Sequence, residues 1–385
     1  MRAFVFTDAA LARHAGRFVW LSVDTERAEN APFLERYPVE VWPSLFVIDP
    51  RDGSVALSWA GSATVPQLVA LLDDAQRALE GGTQGAEALL ARADRLAGEG
   101  NKRQSAAAYR EVLQRAPSDW PRRARTIESL ILSLAMADAH DECVSVARAE
   151  IPTIDPSPSR ANAALLGLVC ALELPRSNDS RTAALDELEG HVRQAIAVAT
   201  STPPAMAIAA DDVSGMYEML VSARDAAGDK AGVKREAAAW ARFLERQAEQ
   251  AKTAEQRAVF DPHRLIAYLT LGEPERAVAM LQESERKLPH DYNPPARLAV
   301  AYKELRRYDD ALAASERALA RAYGPRRLRV LQTRAEILAA KGDASEAKAT
   351  LERALRELDA LPKPQQSERA RQRLTKQLEA LAASR

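Results

Sequence analysis

The chain of 385 residues contains only two cysteines, Cys143 and Cys170, which are far apart and not in a Cys-x-x-Cys spacing. Thiol-disulfide exchange needs a thiolate with a second sulfur beside it, so these residues do not predict redox chemistry. Each cysteine lies in an alanine-rich helical pattern, which favours a free, buried side chain. A disulfide between them is the alternative, since neighbouring helices in an oxidising compartment could bring them together.

Motifs of catalytic and metal sites are also missing. The five histidines are scattered, with no His-Glu-x-x-His spacing, and no phosphate-binding glycine loop, nucleophile elbow or kinase signature occurs. We therefore expect no catalytic residue, no metal site and no small-molecule cofactor. The sequence is interpreted as that of a non-enzyme.

Net charge and long apolar runs are lacking too. With 53 basic and 54 acidic residues the net charge is -1, and no apolar run approaches the ~20 residues of a membrane span. This composition predicts neither nucleic-acid binding nor membrane insertion. Residues 1–8 lack a signal-peptide core, which indicates a soluble, cytoplasmic chain as written. A signal peptide upstream of Met1 would make it periplasmic instead.

Aromatic residues make up only 5% of the chain, and they are concentrated in residues 1–60. A chain of this length is too long for one core, so we expect two domains, or one domain and a solenoid. Apolar runs, turn residues and helical spacings then predict the local elements. The N-terminal patterns predict a strand over residues 18–24, a helix over 29–37, strands over 44–48 and 55–59, and a helix over 65–79.

This order of elements resembles the thioredoxin family from its third strand onward. The resemblance is carried by Val23, Asp24 and Asn30, and by the motif of residues 39–49. Pro43 lies where the family keeps a cis-proline beside its active site, so the resemblance implies a cis Trp42–Pro43 bond. In the family that proline exposes the preceding backbone to a substrate chain, which makes Trp42 and Pro43 candidate partner-binding residues.

Residues 1–11 are similar to the helix that follows the Cys-x-x-Cys in the thiol-disulfide-interchange subgroup. By that alignment the cysteines would precede Met1, and the central strand of the sheet would be missing. Without the central strand, the backbone donors and acceptors of its two neighbouring strands would lack partners, so they are expected to be paired or covered in another way. Either the strands at 18–24 and 44–48 pair directly, or the gene product begins upstream; the second is the preferred explanation.

Helical patterns begin at Ala86, after the glycine-rich residues 81–85, which are interpreted as a hinge. Residues 258–291, 292–325 and 328–361 repeat one pattern, residues 86–119 carry a further copy, and residues 120–257 carry degenerate ones. These segments resemble the tetratricopeptide repeat, a pair of antiparallel helices that stacks on the next pair. The predicted fold class is mainly α: an incomplete thioredoxin-like α/β domain over residues 1–80, followed by an α-helical solenoid over 86–385.

The resemblance implies a concave groove lined by the first helix of each pair. The repeat register places six candidate partner-binding side chains there: Arg297, Val300, Lys303, Arg329, Gln332 and Glu336. The family's carboxylate-clamp subgroup uses Lys and Asn at fixed groove positions, but Leu90 and Asp94 stand there in the first repeat. Recognition of a chaperone's acidic C-terminal tail is therefore not expected.

These observations predict a non-catalytic adaptor that binds a protein or peptide, joined to a thioredoxin-like module without redox cysteines. One alternative is a thiol-disulfide oxidoreductase whose Cys-x-x-Cys lies upstream of Met1. Another is a holdase co-chaperone, because bacterial fusions of thioredoxin-like and tetratricopeptide domains include such proteins.

Overall fold

The computed structural model of the chain describes residues 4–81 and 84–383. The mainly α prediction is confirmed, since the described residues hold only two short strands. The strands are β1 (Ser44–Ile48) and β2 (Val55–Ala60). The helices are α1 (Ala31–Arg36), α2 (Val65–Leu79), α3 (Ala86–Gly98), α4 (Lys102–Arg115), α5 (Arg123–Met136), α6 (His140–Glu150), α7 (Pro158–Glu173), α8 (Arg181–Thr200), α9 (Ala210–Ala226), α10 (Lys230–Gln250), α11 (Ala254–Ala258), α12 (Asp261–Leu271), α13 (Pro274–Lys287), α14 (Asn293–Glu304), α15 (Tyr308–Arg321), α16 (Pro325–Lys341), α17 (Ala344–Asp359) and α18 (Glu368–Ala383).

The chain divides into two compact units. The first unit contains the residues up to Val19 together with Val39–Glu236, and the second contains Trp20–Pro38 together with the residues from Ala237 onward. These limits differ from the predicted domains at 1–80 and 86–385, which stay a prediction. Residues 82 and 83 of the predicted hinge lie outside the described residues.

The first unit begins with a small α/β layer. As predicted, β1 and β2 pair antiparallel, with Val47 opposite Leu57, and both side chains are buried beneath α2. Thr64 begins α2 with a capping box, in which the Thr64 N–H donates to Gln67 Oε1 at 2.9 Å. The Trp42–Pro43 bond is cis, as expected.

The predicted strand at residues 18–24 is wrong. Residues 19–24 have no strand pairing, and from Trp20 onward the chain belongs to the second unit rather than to the sheet. There the Asp24 carboxylate pairs with Arg326, and the Thr25 carbonyl accepts a hydrogen bond from Gln365. These polar contacts outweigh the local β-propensity. Two strands are too few to show a thioredoxin fold.

The opening segment also differs from the expected helix. Residues 1–3 lie outside the described residues, and Phe4 to Thr7 form turns rather than an α-helix. A short 3₁₀ helix, Ala9–His14, follows, and Asp8 caps it by accepting from the Ala10 N–H at 2.8 Å.

Antiparallel helix pairs follow α2 in the first unit: α3 with α4, α5 with α6, and α7 with α8. Cys143 on α6 and Cys170 on α7 are joined by a disulfide with 6.2 Å between their Cα atoms, and both are fully buried. The expectation of free cysteines is therefore wrong. The helical contexts were read correctly, but the packing of α6 on α7 brings the two residues together.

Close packing between α3 and β2 gives a first testable prediction. A Cβ at Gly98 would lie 2.7 Å from Val55 Cγ1, and Val55 is 2% exposed, so it has little room to move. Gly98→Ala should therefore destabilise the protein by about 1–3 kcal/mol, although alanine favours helix. Urea unfolding measures the change.

The compensating control is Val55→Ala. In that background both clashing methyl groups are absent and only the Cβ of residue 55 remains, 3.2 Å away, so Gly98→Ala should cost clearly less than in the wild-type background. An equal cost of Gly98→Ala in both backgrounds would contradict the packing argument.

The second unit stacks further pairs, α12 with α13, α14 with α15 and α16 with α17, and α18 packs on α17. Each predicted repeat at 258–291, 292–325 and 328–361 contains such a pair or most of it. Ala277, Ala311 and Ala347 occupy the same repeat position, and all three are fully buried where a larger side chain would separate the helices. In residues 4–81 and 84–383 no helix is both long and apolar enough for a bilayer crossing.

Candidate functional site

The predicted groove residues lie on α14 and α16, the first helices of two consecutive pairs, which pack side by side. Lys303 on α14 donates to Glu336 Oε2 on α16 at 2.8 Å. Gln377 on α18 donates to Glu336 Oε1 at 3.1 Å, so three helices present one connected polar row. Burial opposes the charge of Lys303, but the hydrogen bond and charge of Glu336 outweigh it and raise the Lys303 pKa.

The other predicted residues on these two helices are partly buried. Arg297 lies near the fully buried Asp261, and burial lowers the Arg297 pKa against the attraction of that carboxyl group. Val300 and Gln332 are half-buried on α14 and α16. Five of the six predicted groove residues are therefore partly buried, and four of these five are polar or charged.

Arg329 is placed differently from this row. Its guanidinium donates to Glu26 Oε1 at 2.8 Å and to the Tyr292 hydroxyl at 3.0 Å. The candidate is thus in contact with residues 20–38 of its own chain. Trp42 and Pro43 belong to the first unit, where the Trp42 side chain is 64% exposed and the Pro43 carbonyl accepts from the Gly61 N–H at 2.8 Å.

The first unit contains a buried polar row that was not predicted. Asp94 on α3 accepts hydrogen bonds from the Tyr109 hydroxyl at 2.8 Å and from Arg125 Nη2 at 2.6 Å. Burial raises the pKa of Asp94 in spite of both partners, which favour its charged form. Arg125 Nε and Nη1 have no hydrogen-bond partner among the described residues.

The row continues from α5 to α7 and α9. Asn162 Nδ2 donates to Glu128 Oε1 at 2.9 Å and lies 3.4 Å from Asp212 Oδ2. Burial raises the pKa of Glu128 to about 8 and that of Asp212 to about 7, and it outweighs the hydrogen bond of Asn162 to each of them and the charge of Arg125, which acts on Glu128 in the opposite direction. In the described part of the chain, Glu128 Oε2 and Asn162 Oδ1 lack hydrogen-bond partners.

The sequence does contain a signal that predicts part of this buried polar row. Arg125 and Glu128 lie three residues apart in α5, on a helix with a long apolar run, and Ser159 and Asn162 have the same spacing in α7. Polar side chains on the buried face of a helix need hydrogen-bond partners, so such a pair predicts a buried hydrogen-bond network. In the sequence, Asp94 stands out only as a departure from the carboxylate-clamp pattern.

These arrangements suit the recognition of a partner. No group of three or more His, Cys, Asp or Glu residues within 4–81 and 84–383 is arranged to hold a metal ion. The disulfide occupies both cysteines, at full burial. The polar row on α14, α16 and α18 offers donors and acceptors beside half-buried apolar surface, which is what a protein or peptide partner requires.

Comparisons with known proteins agree with the helical repeats. The family profile described as tetratricopeptide repeat matches residues 328–357, the α16–α17 pair, so the predicted repeat is confirmed there. No curated protein matches the chain.

Solved structures overlay only loosely on this chain. A tetratricopeptide repeat protein from Parabacteroides merdae has a TM-score of 0.48 at 10% identity, covering 73% of this chain and 99% of that one. The TPR2AB domain of yeast Sti1 in complex with pHSP90 has a TM-score of 0.29 at 12% identity, and the match covers 67% of this chain and 98% of that one. BtubC from P. vanneervenii has a TM-score of 0.33 at 17% identity, and the match covers 73% of this chain and 94% of that one. These scores carry no argument about function, and the repeat match at residues 328–357 stands by itself.

Proposed function

We propose that the chain is a non-catalytic adaptor that binds a protein or peptide across α14, α16 and α18. One observation carries the proposal: Lys303, Glu336 and Gln377 form a hydrogen-bonded row on three neighbouring helices. Both charges are only partly exposed, 22% for Lys303 and 37% for Glu336, so a partner that covers them gains charge-assisted bonds in a poorly solvated place.

The proposal predicts contact at Gln332, which lies on α16 one turn before Glu336. A photo-crosslinking amino acid at this position should form a discrete protein adduct in an extract of the source organism. The same amino acid at Ala349, an exposed position on α17, should not, because α17 is the second helix of its pair. Gel analysis and mass spectrometry of the adduct are the measurements.

A charge exchange provides the matched variant. Lys303→Glu combined with Glu336→Lys keeps an ion pair between α14 and α16 but reverses the charges that the partner meets. Gln377 Oε1 has no partner in the described chain and could accept from the new lysine. The adduct at position 332 should fall roughly tenfold while the unfolding midpoint stays unchanged. Equal labelling at positions 332 and 349, or an adduct that survives the exchange, would refute the proposal.

The finer part of the proposal concerns residues 39–80. Their order of β1, β2 and α2 supports a thioredoxin-like segment that serves the adaptor without redox chemistry. An oxidoreductase would need a reactive thiol, and the described residues contain no free cysteine. That alternative would therefore depend on cysteines outside this chain.

A further inference from the structure

The second unit holds a short acidic turn from its own N-terminal segment. The acidic turn is residues 24–27, in which the Arg27 N–H donates to the Asp24 carbonyl at 3.2 Å. It contacts a set of residues that we call the arginine surface: Tyr323, Gly324, Arg326, Arg329 and Gln365. None of the contacts belongs to the polar row of Lys303, Glu336 and Gln377.

Two carboxylates of the turn are bound by two arginines. Arg326 Nη2 lies 3.1 Å from Asp24 Oδ2, and Arg326 Nε also bonds Glu26 Oε2. Arg329 Nη2 lies 2.8 Å from Glu26 Oε1. The Tyr323 hydroxyl is a further partner of the Asp24 carboxylate. Each contact is a charge-assisted bond, and the planar guanidinium of Arg326 fixes the spacing of the two carboxylates.

The backbone of the turn is bound as well. Gln365 Nε2 donates to the Thr25 carbonyl at 3.0 Å and to the Arg27 carbonyl at 2.7 Å. Gly324 allows close approach, because a Cβ there would lie 2.2 Å from the Glu26 carbonyl oxygen. The Arg27 guanidinium also lies over the Tyr323 ring, 3.8 Å from its centroid. Together these contacts select a short segment with an Asp and a Glu separated by one residue.

The turn is attached more firmly on one side than on the other. After it, Ala31, Leu34 and Tyr37 are buried in the second unit, whereas before it Leu21 is 82% exposed. Within the turn, the pair of Glu26 with Arg329 is weak and screened by salt, because Arg329 is 59% exposed, whereas Arg326 at 23% and Glu26 at 20% are less solvated. The turn could therefore lift off while α1 keeps the segment in place.

We propose that the arginine surface is a recognition site for an acidic Asp-x-Glu turn of a partner protein, and that residues 24–27 occupy it until such a partner replaces them. The partner must compete with a tethered group, whose effective concentration is on the order of millimolar. A weak binder therefore cannot displace residues 24–27 from the wild-type arginine surface. The arginine surface shares α16 with Glu336 but none of the contacts of the row formed by Lys303, Glu336 and Gln377, so either proposal can fail without the other.

A fluorescent peptide with the sequence of residues 20–30 is the probe, and the full chain is the protein. In the double variant Asp24→Asn with Glu26→Gln, the tethered turn loses both carboxylates, and the peptide should bind saturably by fluorescence anisotropy. Wild-type chain should bind at least about tenfold more weakly, because its own turn competes. Higher salt should weaken binding in both cases.

Three controls test the contacts. Adding Arg326→Gln to the double variant should abolish binding, and so should replacing the peptide's two carboxylates by amides. Gly324→Ala should also abolish it, because the methyl group would meet the peptide backbone. Circular dichroism melting checks that each variant is folded.

A measurement on the wild-type chain avoids dependence on the variants. Saturating peptide should accelerate hydrogen exchange of residues 24–27 and leave residues 31–36 protected. The proposal is overturned if the peptide fails to bind the double variant, if it binds wild type equally well, or if exchange of the turn is unchanged. A wild-type dimer that dissociates in the double variant would also overturn it, because the turn would then join two copies.

Discussion

Glu128→Gln is expected to stabilise the protein at pH 8–9 and to flatten the dependence of its unfolding free energy on pH. Burial raises the pKa of Glu128 from 4.5 to about 8, so the native carboxyl group is largely protonated at neutral pH. Glutamine has the shape of that protonated form. Its carbonyl oxygen can still accept from Asn162, which donates to Glu128 Oε1 at 2.9 Å.

The sign follows from the direction of the shift. Because the folded-state pKa lies above the unfolded one, the stability contributed by Glu128 is fully present below about pH 4.5 and is lost as the pH rises to about 8. A shift of this size corresponds to a loss on the order of 4 kcal/mol across the window. The variant avoids this loss, since an amide does not ionise.

Urea unfolding at pH 5, 7 and 9 provides the measurement, with Glu142→Gln as the matched control. Glu142 lies on α6 with a half-exposed side chain, so its variant should follow the wild-type pH dependence. A smaller slope below pH 7 should persist in Glu128→Gln, because the pKa of Asp212 is also raised, to about 7. Parallel curves for Glu128→Gln and wild type would show that Glu128 is not buried as described.

Arg125→Met is expected to destabilise the protein by about 3–5 kcal/mol at pH 7. The side chains of Arg125 and Asp94 are only 11% and 3% exposed, and Arg125 Nη2 lies 2.6 Å from Asp94 Oδ2. Removing the guanidinium leaves a buried carboxylate without its cation. The loss should become smaller toward acidic pH, where protonation of Asp94 removes the charge.

A double-mutant cycle with Asp94→Asn separates the ion pair from packing. Asparagine keeps an acceptor for the Tyr109 hydroxyl, so the double variant should recover part of the stability lost in Arg125→Met. Arg110→Met is the control, because the Arg110–Glu142 pair is exposed and should contribute less than about 1 kcal/mol. Additive effects of Arg125→Met and Asp94→Asn would mean that the two side chains do not interact.

The helical pairs could be predicted because their information is local and repeated. Small residues at Ala277, Ala311 and Ala347 mark the contact between the two helices of each pair, and the structure buries all three. The residue that ends the first helix recurs in the same way. Gly272 and Gly342 have positive φ, and so does Arg306 at the matching position, which the repeat spacing assigns to a turn despite its side chain.

The β1–β2 hairpin was predictable for the same reason, since its strands and turn lie within one short stretch. Residues 18–24 have an equally good local strand pattern, but contacts with residues far away in the sequence determine their conformation. Asp24 binds Arg326, which is 302 residues further along the chain. No pattern within residues 18–24 contains that information.

The unpredicted polar row shows the same limit in the candidate site. Asp94, Glu128 and Asp212 lie on three different helices, and Asp94 and Asp212 look like ordinary surface carboxylates in their own segments. Their raised pKa values arise only when neighbouring helices exclude water. The sequence leaves the disulfide as the less favoured alternative for the same reason, because pairing depends on how α6 packs against α7.

The distance along the chain between Asp24 and Arg326 has a consequence during synthesis on the ribosome. At about 5–20 residues per second, the 302 residues that separate them take roughly 15–60 s to emerge. During that time Asp24 and Glu26 have no arginine surface to bind. Residues 24–27 therefore complete their native contacts only after residues 323–329 and Gln365 have emerged, and they are accessible to chaperones until then.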